Sequence, residues 1–140
     1  MSNGFRLQHV NVMVRDLAEA VEFYVGGLGL EPSPTPDLGF PAQFIRINDE
    51  QEIHLNELSG EAPERAHFCL RVADFTATVR RMGERDAIET ATWGKGRRLP
   101  SGVMQLFVRD PSGNLIELSC EADQEVDPAL LDPAVFESAP

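Results

Sequence analysis

Residues His9 to Leu17 read HVNVMVRDL, and residues His67 to Phe75 read HFCLRVADF. The two stretches superimpose at an offset of 58 (His9 to His67), with Val10 on Phe68, Val12 on Leu70, Val14 on Val72 and Asp16 on Asp74. In each, apolar and other residues alternate with the period of a half-buried strand. An aspartate follows, and then a helical pattern. Asp16 is placed as an N-cap, with Glu19 at the third helical position as in a capping box. Leu17, Ala20, Val21, Tyr24, Val25 and Leu28 form an i, i+3, i+4 stripe, and Gly26, Gly27 and Gly29 mark its end. In the second copy Asp74 caps a helix carrying Phe75, Val79 and Met82, with Gly83 near its stop.

Further along, the copies match at a second offset, 63. Phe44-Ile45-Arg46 falls on Phe107-Val108-Arg109, and Ile53-His54-Leu55 on Ile116-Glu117-Leu118. The second copy therefore has extra residues before its last strands, placed in the basic loop Trp93 to Arg98. Each copy reads strand, helix, then strands, with Pro32 to Pro41 as a loop in the first. The expectation is a duplicated α+β fold of two modules, about 5–58 and 65–120. Residues 121–140 are acidic, contain three prolines and no Lys or Arg, and read as a tail. A helical turn around Ala129, Leu130 and Leu131 is expected to dock that tail on the body.

The 140 residues suit one domain with its own core, and 42% hydrophobic with 25% charged residues is ordinary for a soluble globular protein. A formal charge of −11 argues against nucleic acid and against a polybasic membrane contact. Met1 to Arg6 has no apolar leader core, so a cytoplasmic location is expected. Cys69 and Cys120 form no disulfide framework and read as reduced packing residues.

The chain has three histidines. His9 and His67 occupy one position of the repeat; His54 occupies the position that Glu117 holds in the other copy. Alternation sets each of them opposite an apolar strand face. Glu117 stands inside the run LIELSC (115–120), where a carboxylate either faces water or meets a cation. Imidazole and carboxylate together are a ligand set for first-row divalent metals, and the joint placement makes His9, His54, His67 and Glu117 a candidate metal site.

The stretches LQHVNVMVRDLAEAVEFYVGGLGLE (7–31), QEIHL (51–55), RAHFCLRVADF (65–75) and LFVRDPSGNLIEL (106–118) resemble the vicinal oxygen chelate superfamily. That group includes glyoxalase I, methylmalonyl-CoA epimerase, fosfomycin-resistance enzymes, bleomycin-binding proteins and extradiol dioxygenases. The likeness spans about Leu7 to Cys120, and its most specific part is the Asp110-Pro111-Ser112-Gly113-Asn114 turn with the strand after it. It implies one domain over 1–120 of paired βαβββ modules, a curved mixed sheet with helices outside, and a cup around one divalent ion (Ni, Zn, Fe, Co or Mn). It also implies a homodimer. His9, His54, His67 and Glu117 fall on the four family ligand positions. Two departures stand out: His54 where glyoxalase I usually has Glu or Gln, and Met13 where the bacterial enzymes hold glutathione with an arginine.

Four protein ligands on an octahedral ion leave two positions for vicinal oxygens of a small substrate. The resemblance then implies Lewis-acid stabilisation of an enediolate, with Glu117 as the base. The alternative is an extradiol-type iron(II) dioxygenase, with His9, His67 and Glu117 on the metal and His54 as an acid or base beside it. A third reading is a non-catalytic binding protein for an antibiotic. Trp93, Lys95, Arg97 and Arg98 either steer an anionic substrate or form an ordinary solvated loop. Phe44 and Phe107 either wall the pocket or pack in the core.

Overall fold

The computed structural model describes residues 3–137. The chain divides into two compact units, residues 1–61 and 62–140. The fold class is α+β.

The first unit holds β1 (His9–Val14), helix α1 (Leu17–Val21), β2 (Glu31–Ser33), β3 (Ala42–Arg46) and β4 (Glu52–Glu57). Its sheet runs β1-β4-β3-β2, parallel between β1 and β4 and antiparallel elsewhere. The second unit holds β5 (His67–Arg71), α2 (Phe75–Glu84), β6 (Ile88–Glu89), β7 (Arg97–Arg98), β8 (Met104–Arg109) and β9 (Leu115–Cys120). Its sheet runs β5-β9-β8-β6, with β7 paired to β8 off that path. The order of first, last and middle strands is the same in both units.

The registers repeat as well. His9 lies opposite Glu52, and His67 opposite Leu115; Phe44 lies opposite His54, and Phe107 opposite Glu117. Pro32 pairs with Ile45 and Ile88 with Val108, so the offset at β2 and β6 is 56 (Pro32 to Ile88). The extra length of the second module thus falls between β6 and β8, where β7 sits. A one-residue slip would turn every side chain to the other face, so equal registers keep the candidate residues on equivalent faces.

Packing follows the alternation. Val14, Ile45, Ile53 and Leu55 are buried under α1 in the first unit; Leu106, Ile116 and Leu118 are buried with Phe75 and Met82 in the second. Each contributes about 1.5–3 kcal/mol on full burial, whereas exposed ion pairs such as Arg6–Glu50 contribute little. Both helix caps form: Asp16 accepts from the Glu19 N–H and Asp74 from the Ala77 N–H, each at 3.0 Å. No helix among the described residues is long and apolar enough to cross a membrane.

Three local expectations need correction. α1 does not continue as a regular helix but widens into a π-type stretch, Glu22–Gly27, in which the Leu28 N–H reaches Phe23 O at 2.9 Å. The buried stripe accordingly takes in Phe23 and Gly27 beside Ala20 and Tyr24. Pro32 and Ser33 belong to β2 rather than to a loop; β2 is an edge strand, where a proline removes no ladder bond. The tail docks mainly through a different residue from the one expected. The expected turn does dock, as a 3-10 turn at Pro128–Leu130 against α2, where the Asp127 N–H donates to Thr76 Oγ1 at 3.1 Å and Arg80 donates to the Asp127 carboxylate, but none of its side chains is buried and Leu131 is 39% exposed. Phe136 is the anchor, at 3% exposure, and its neighbours bond both backbone groups of Gly96 at 2.8 Å. Gln124 also bonds the start of α2, accepting from the Phe75 N–H at 2.6 Å.

The Asp110 turn fixes the entry to β9. Asp110 is buried; its Oδ1 accepts from the backbone N–H groups of Ser112 and Asn114, and its Oδ2 from the Asn114 side-chain amide, at 2.8–2.9 Å. Asp110→Ala strands those buried donors, and a loss of about 2–3 kcal/mol is expected in urea unfolding. A loss below about 0.5 kcal/mol would mean that water replaces the carboxylate.

Candidate metal and substrate site

In the first unit, β1, β4 and β3 set three rings side by side. His9 stacks on His54 with centroids 4.0 Å apart, and Phe44 stacks on the same imidazole at 3.4 Å. His9 Nδ1 contacts the Gln8 side-chain oxygen. His54 Nε2 is buried and has no hydrogen-bond partner in the protein. The pKa of His54 is lowered by burial and then by His9, against an upward pull from Glu52. A neutral ring keeps a nitrogen lone pair available, as a metal ligand requires. Glu52 Oε2 and Asn56 Oδ1, on the same strand face, are further buried acceptors without a donor. Next to them the Asn56 amide donates to Asn11 Oδ1.

In the second unit, β5 and β9 bring His67 and Glu117 together. His67 Nδ1 lies 2.9 Å from the Arg65 carbonyl, which can only accept, so Nδ1 carries the proton. In the neutral ring Nε2 is then a lone pair, and it faces Glu117 Oε2 at 3.2 Å. Two acceptors at that distance need a cation between them, either a proton or a metal. An imidazole whose other nitrogen donates to a backbone carbonyl is the usual support of a metal-ligating histidine. The other carboxylate oxygen, Oε1, accepts from Gln105 Nε2 at 2.8 Å, and Gln105 Oε1 accepts from Arg97 Nε at 3.1 Å. Phe107 meets His67 edge-on at 5.1 Å, and Trp93 does so at 5.7 Å.

The candidate ligands therefore come together as two pairs, His9 with His54 and His67 with Glu117. Among the described residues, neither unit gathers three or more His, Cys, Asp or Glu side chains into one group. Phe44 and Phe107 each touch a candidate ligand of their own module. Arg97 is engaged with Gln105, and Arg98 donates to the Gly102 carbonyl at 2.7 Å. Cys120 is buried as expected of a packing residue, but Cys69 is exposed and its thiol contacts Ser119 Oγ at 3.4 Å; local desolvation pushes that thiol up, which keeps it protonated. A cleft of about 800 Å³ in the first unit lies along α1, lined by Leu17, Val21, Val25 and Glu57 among others, and borders none of the four candidate ligands.

Sequence reasoning passed over Gln105 and Asn56. Strand alternation carries the signal for both: Gln105 shares a face with Phe107, and Asn56 with His54.

The family model of the Glyoxalase/Bleomycin resistance protein/Dioxygenase superfamily matches residues 6–118. The chain belongs to this superfamily. Among curated proteins it is similar to methylmalonyl-CoA epimerase, mitochondrial, of Mus musculus, at 27% identity over 127 residues, covering 81% of this chain and 71% of that protein. Among solved structures it is similar to a glyoxalase family protein from Bacillus anthracis, with a TM-score of 0.71 and 24% identity over 86% of this chain and 99% of the other. It is also similar to lactoylglutathione lyase from Agrobacterium tumefaciens, with a TM-score of 0.62 and 21% identity, covering 86% and 97% of the two chains. At these identities the likeness to solved structures is one of fold. A superfamily of this breadth leaves the substrate to be argued from the residues.

Proposed function

We propose that this protein is a divalent-metal-dependent enzyme of the lyase or isomerase type, acting as a homodimer on a small substrate with vicinal oxygens. The observation that carries the reading is His67 Nε2 facing Glu117 Oε2 at 3.2 Å with His67 Nδ1 tied to a carbonyl, an arrangement that asks for a cation. The orphaned His54 Nε2 supports it independently. His9, His54, His67 and Glu117 would hold the ion.

A bound divalent ion would supply Lewis-acid polarisation of the substrate oxygens. The protein's own contribution is to place a base. Glu117 keeps Oε1 on Gln105, so Oε2 is the oxygen left to hold the ion and, once loosened from it, to take up a proton from the carbon beside the substrate carbonyl. His67 is held in one tautomer by Arg65 and does not compete for that proton through Nδ1. Phe44 stacks on His54, and Phe107 and Trp93 meet His67 edge-on, so each module sets aromatic surface against a candidate ligand.

Metal analysis of protein purified without chelators is expected to find about one divalent ion per chain. A small hydroxamate, offering two vicinal oxygens, should then bind in calorimetry only to the metal-loaded form. Oxygen uptake with a catechol panel is expected to be nil in every metal form. Oxygen consumption by the iron(II) form, with a ring-cleaved product, would replace this reading by a dioxygenase in which His54 works beside the metal.

A further inference from the structure

Glu117 is steered from a part of the second module that the first module lacks. Gln105 on β8 donates to Glu117 Oε1, and Arg97 on β7 donates to Gln105 Oε1. The direction of this chain is fixed by chemistry. A guanidinium only donates and a carboxylate only accepts, so the Gln105 amide has one orientation that satisfies both ends. Arg97 lies directly opposite Gln105 in the β7–β8 register. The repeat position matching Gln105 is Ala42, offset 63, and the position matching Glu117 is His54. Ala42 has no donor to give. Among the described residues the first module has no counterpart of β7 either, since its sheet ends at β2.

A carboxylate differs from an imidazole in what it needs. Rotation about its last bond exchanges two equivalent oxygens, so without a fixed partner it offers either one or both to a cation. An imidazole is already directional. We propose that Gln105, held by Arg97, is a positioning residue: it occupies Glu117 Oε1 and leaves Oε2 as the single oxygen aimed at the partner of His67. The inference rests on Glu117 being a metal ligand. It assigns β7 and the added length around it to the carboxylate arm of the site.

The test is the affinity of the full-length protein for zinc(II), measured by competition with a chromophoric chelator, together with the visible spectrum of the cobalt(II) form. Gln105→Ala is expected to weaken zinc binding by about 10–100-fold, the usual size of a partner that orients a metal ligand. The cobalt(II) bands should shift, while the melting temperature of the metal-free protein stays unchanged. Gln105→Glu keeps the length and still accepts from Arg97, but it sets a carboxylate against Glu117, and it should weaken zinc at least as much. Arg97→Ala, at an exposed residue, should weaken zinc less and in the same direction. Combined with Gln105→Ala it should add nothing, because it acts only through the amide.

Wild-type zinc affinity in Gln105→Ala, with Glu117→Ala having lost the metal, would overturn the positioning role and leave the metal reading intact. Additive effects of Arg97→Ala and Gln105→Ala would overturn the relay. Unchanged zinc affinity in Glu117→Ala would overturn both the relay and the metal reading.

Discussion

Glu117→Ala should yield a folded protein that keeps less than about a tenth of the metal held by wild type after gel filtration. The side chain is 17% exposed and lies on the face of β9 opposite Ile116 and Leu118, so its loss leaves those buried contacts alone. What goes is the anionic donor. On the proposed ligand set, the three histidines would be left to hold a divalent ion with no compensating anionic donor. The linked expectation is thermal. A ligand that binds only the folded chain stabilises it by about 2.7 kcal/mol when present at a hundred times its dissociation constant. Chelator should therefore lower the melting temperature of wild type and leave that of Glu117→Ala where it was. If wild type is shown to lose metal and yet melts at the same temperature, the ion is not coupled to folding.

Phe136→Ala should cost about 3–5 kcal/mol of stability, the range for truncating a buried phenylalanine. Phe136 is 3% exposed among residues that are otherwise largely solvated, and it closes over Gly96. A Cβ added at Gly96 would lie 2.5 Å from the Phe136 ring and 2.9 Å from Leu106 Cδ1, so Gly96→Ala attacks the same contact from the other side. Leu131→Ala, at a 39% exposed residue, should stay within about 0.5 kcal/mol. Urea unfolding of the three variants separates the two ways of docking the tail. Equal small losses for Phe136→Ala and Leu131→Ala would show that the tail contributes little to the fold.

Much of the fold was readable because its signals are local. Alternation over His9–Val14 and His67–Arg71, the two caps and the two offsets are properties of short windows, and they sufficed for the two modules and the faces of their strands, whereas the pairing registers are seen only in the sheets. The four candidate ligands were readable for a related reason: equivalent strand positions must share a face. The pairing of His67 with Glu117 rests on the parallel β5–β9 neighbourhood, which no sequence window contains. Other features depend on geometry that no window contains. The π-type stretch uses residues that also suit a regular helix. Gln105 is an ordinary polar residue of a strand until Arg97 is seen beside it. Phe136 stands in an acidic segment, and its partner Gly96 is set by a loop whose path has no periodic signal. Pro32 pointed to a loop because a proline reads as a breaker, although an edge strand tolerates one.

The bridge between Gly96 and Phe136 also ties two distant segments of the chain to each other. The region matched by the family model ends at residue 118, and Phe136 lies beyond it, yet Phe136 covers the loop that distinguishes the second module from the first. A loop carrying a bare glycine backbone under an aromatic ring is a poor tenant without that ring, and the ring is an exposed liability without the loop. Shortening either segment should therefore loosen the other. The loop and residues 121–137 thus behave as one structural unit, in which the path of β7 depends on a ring about forty residues further along the chain.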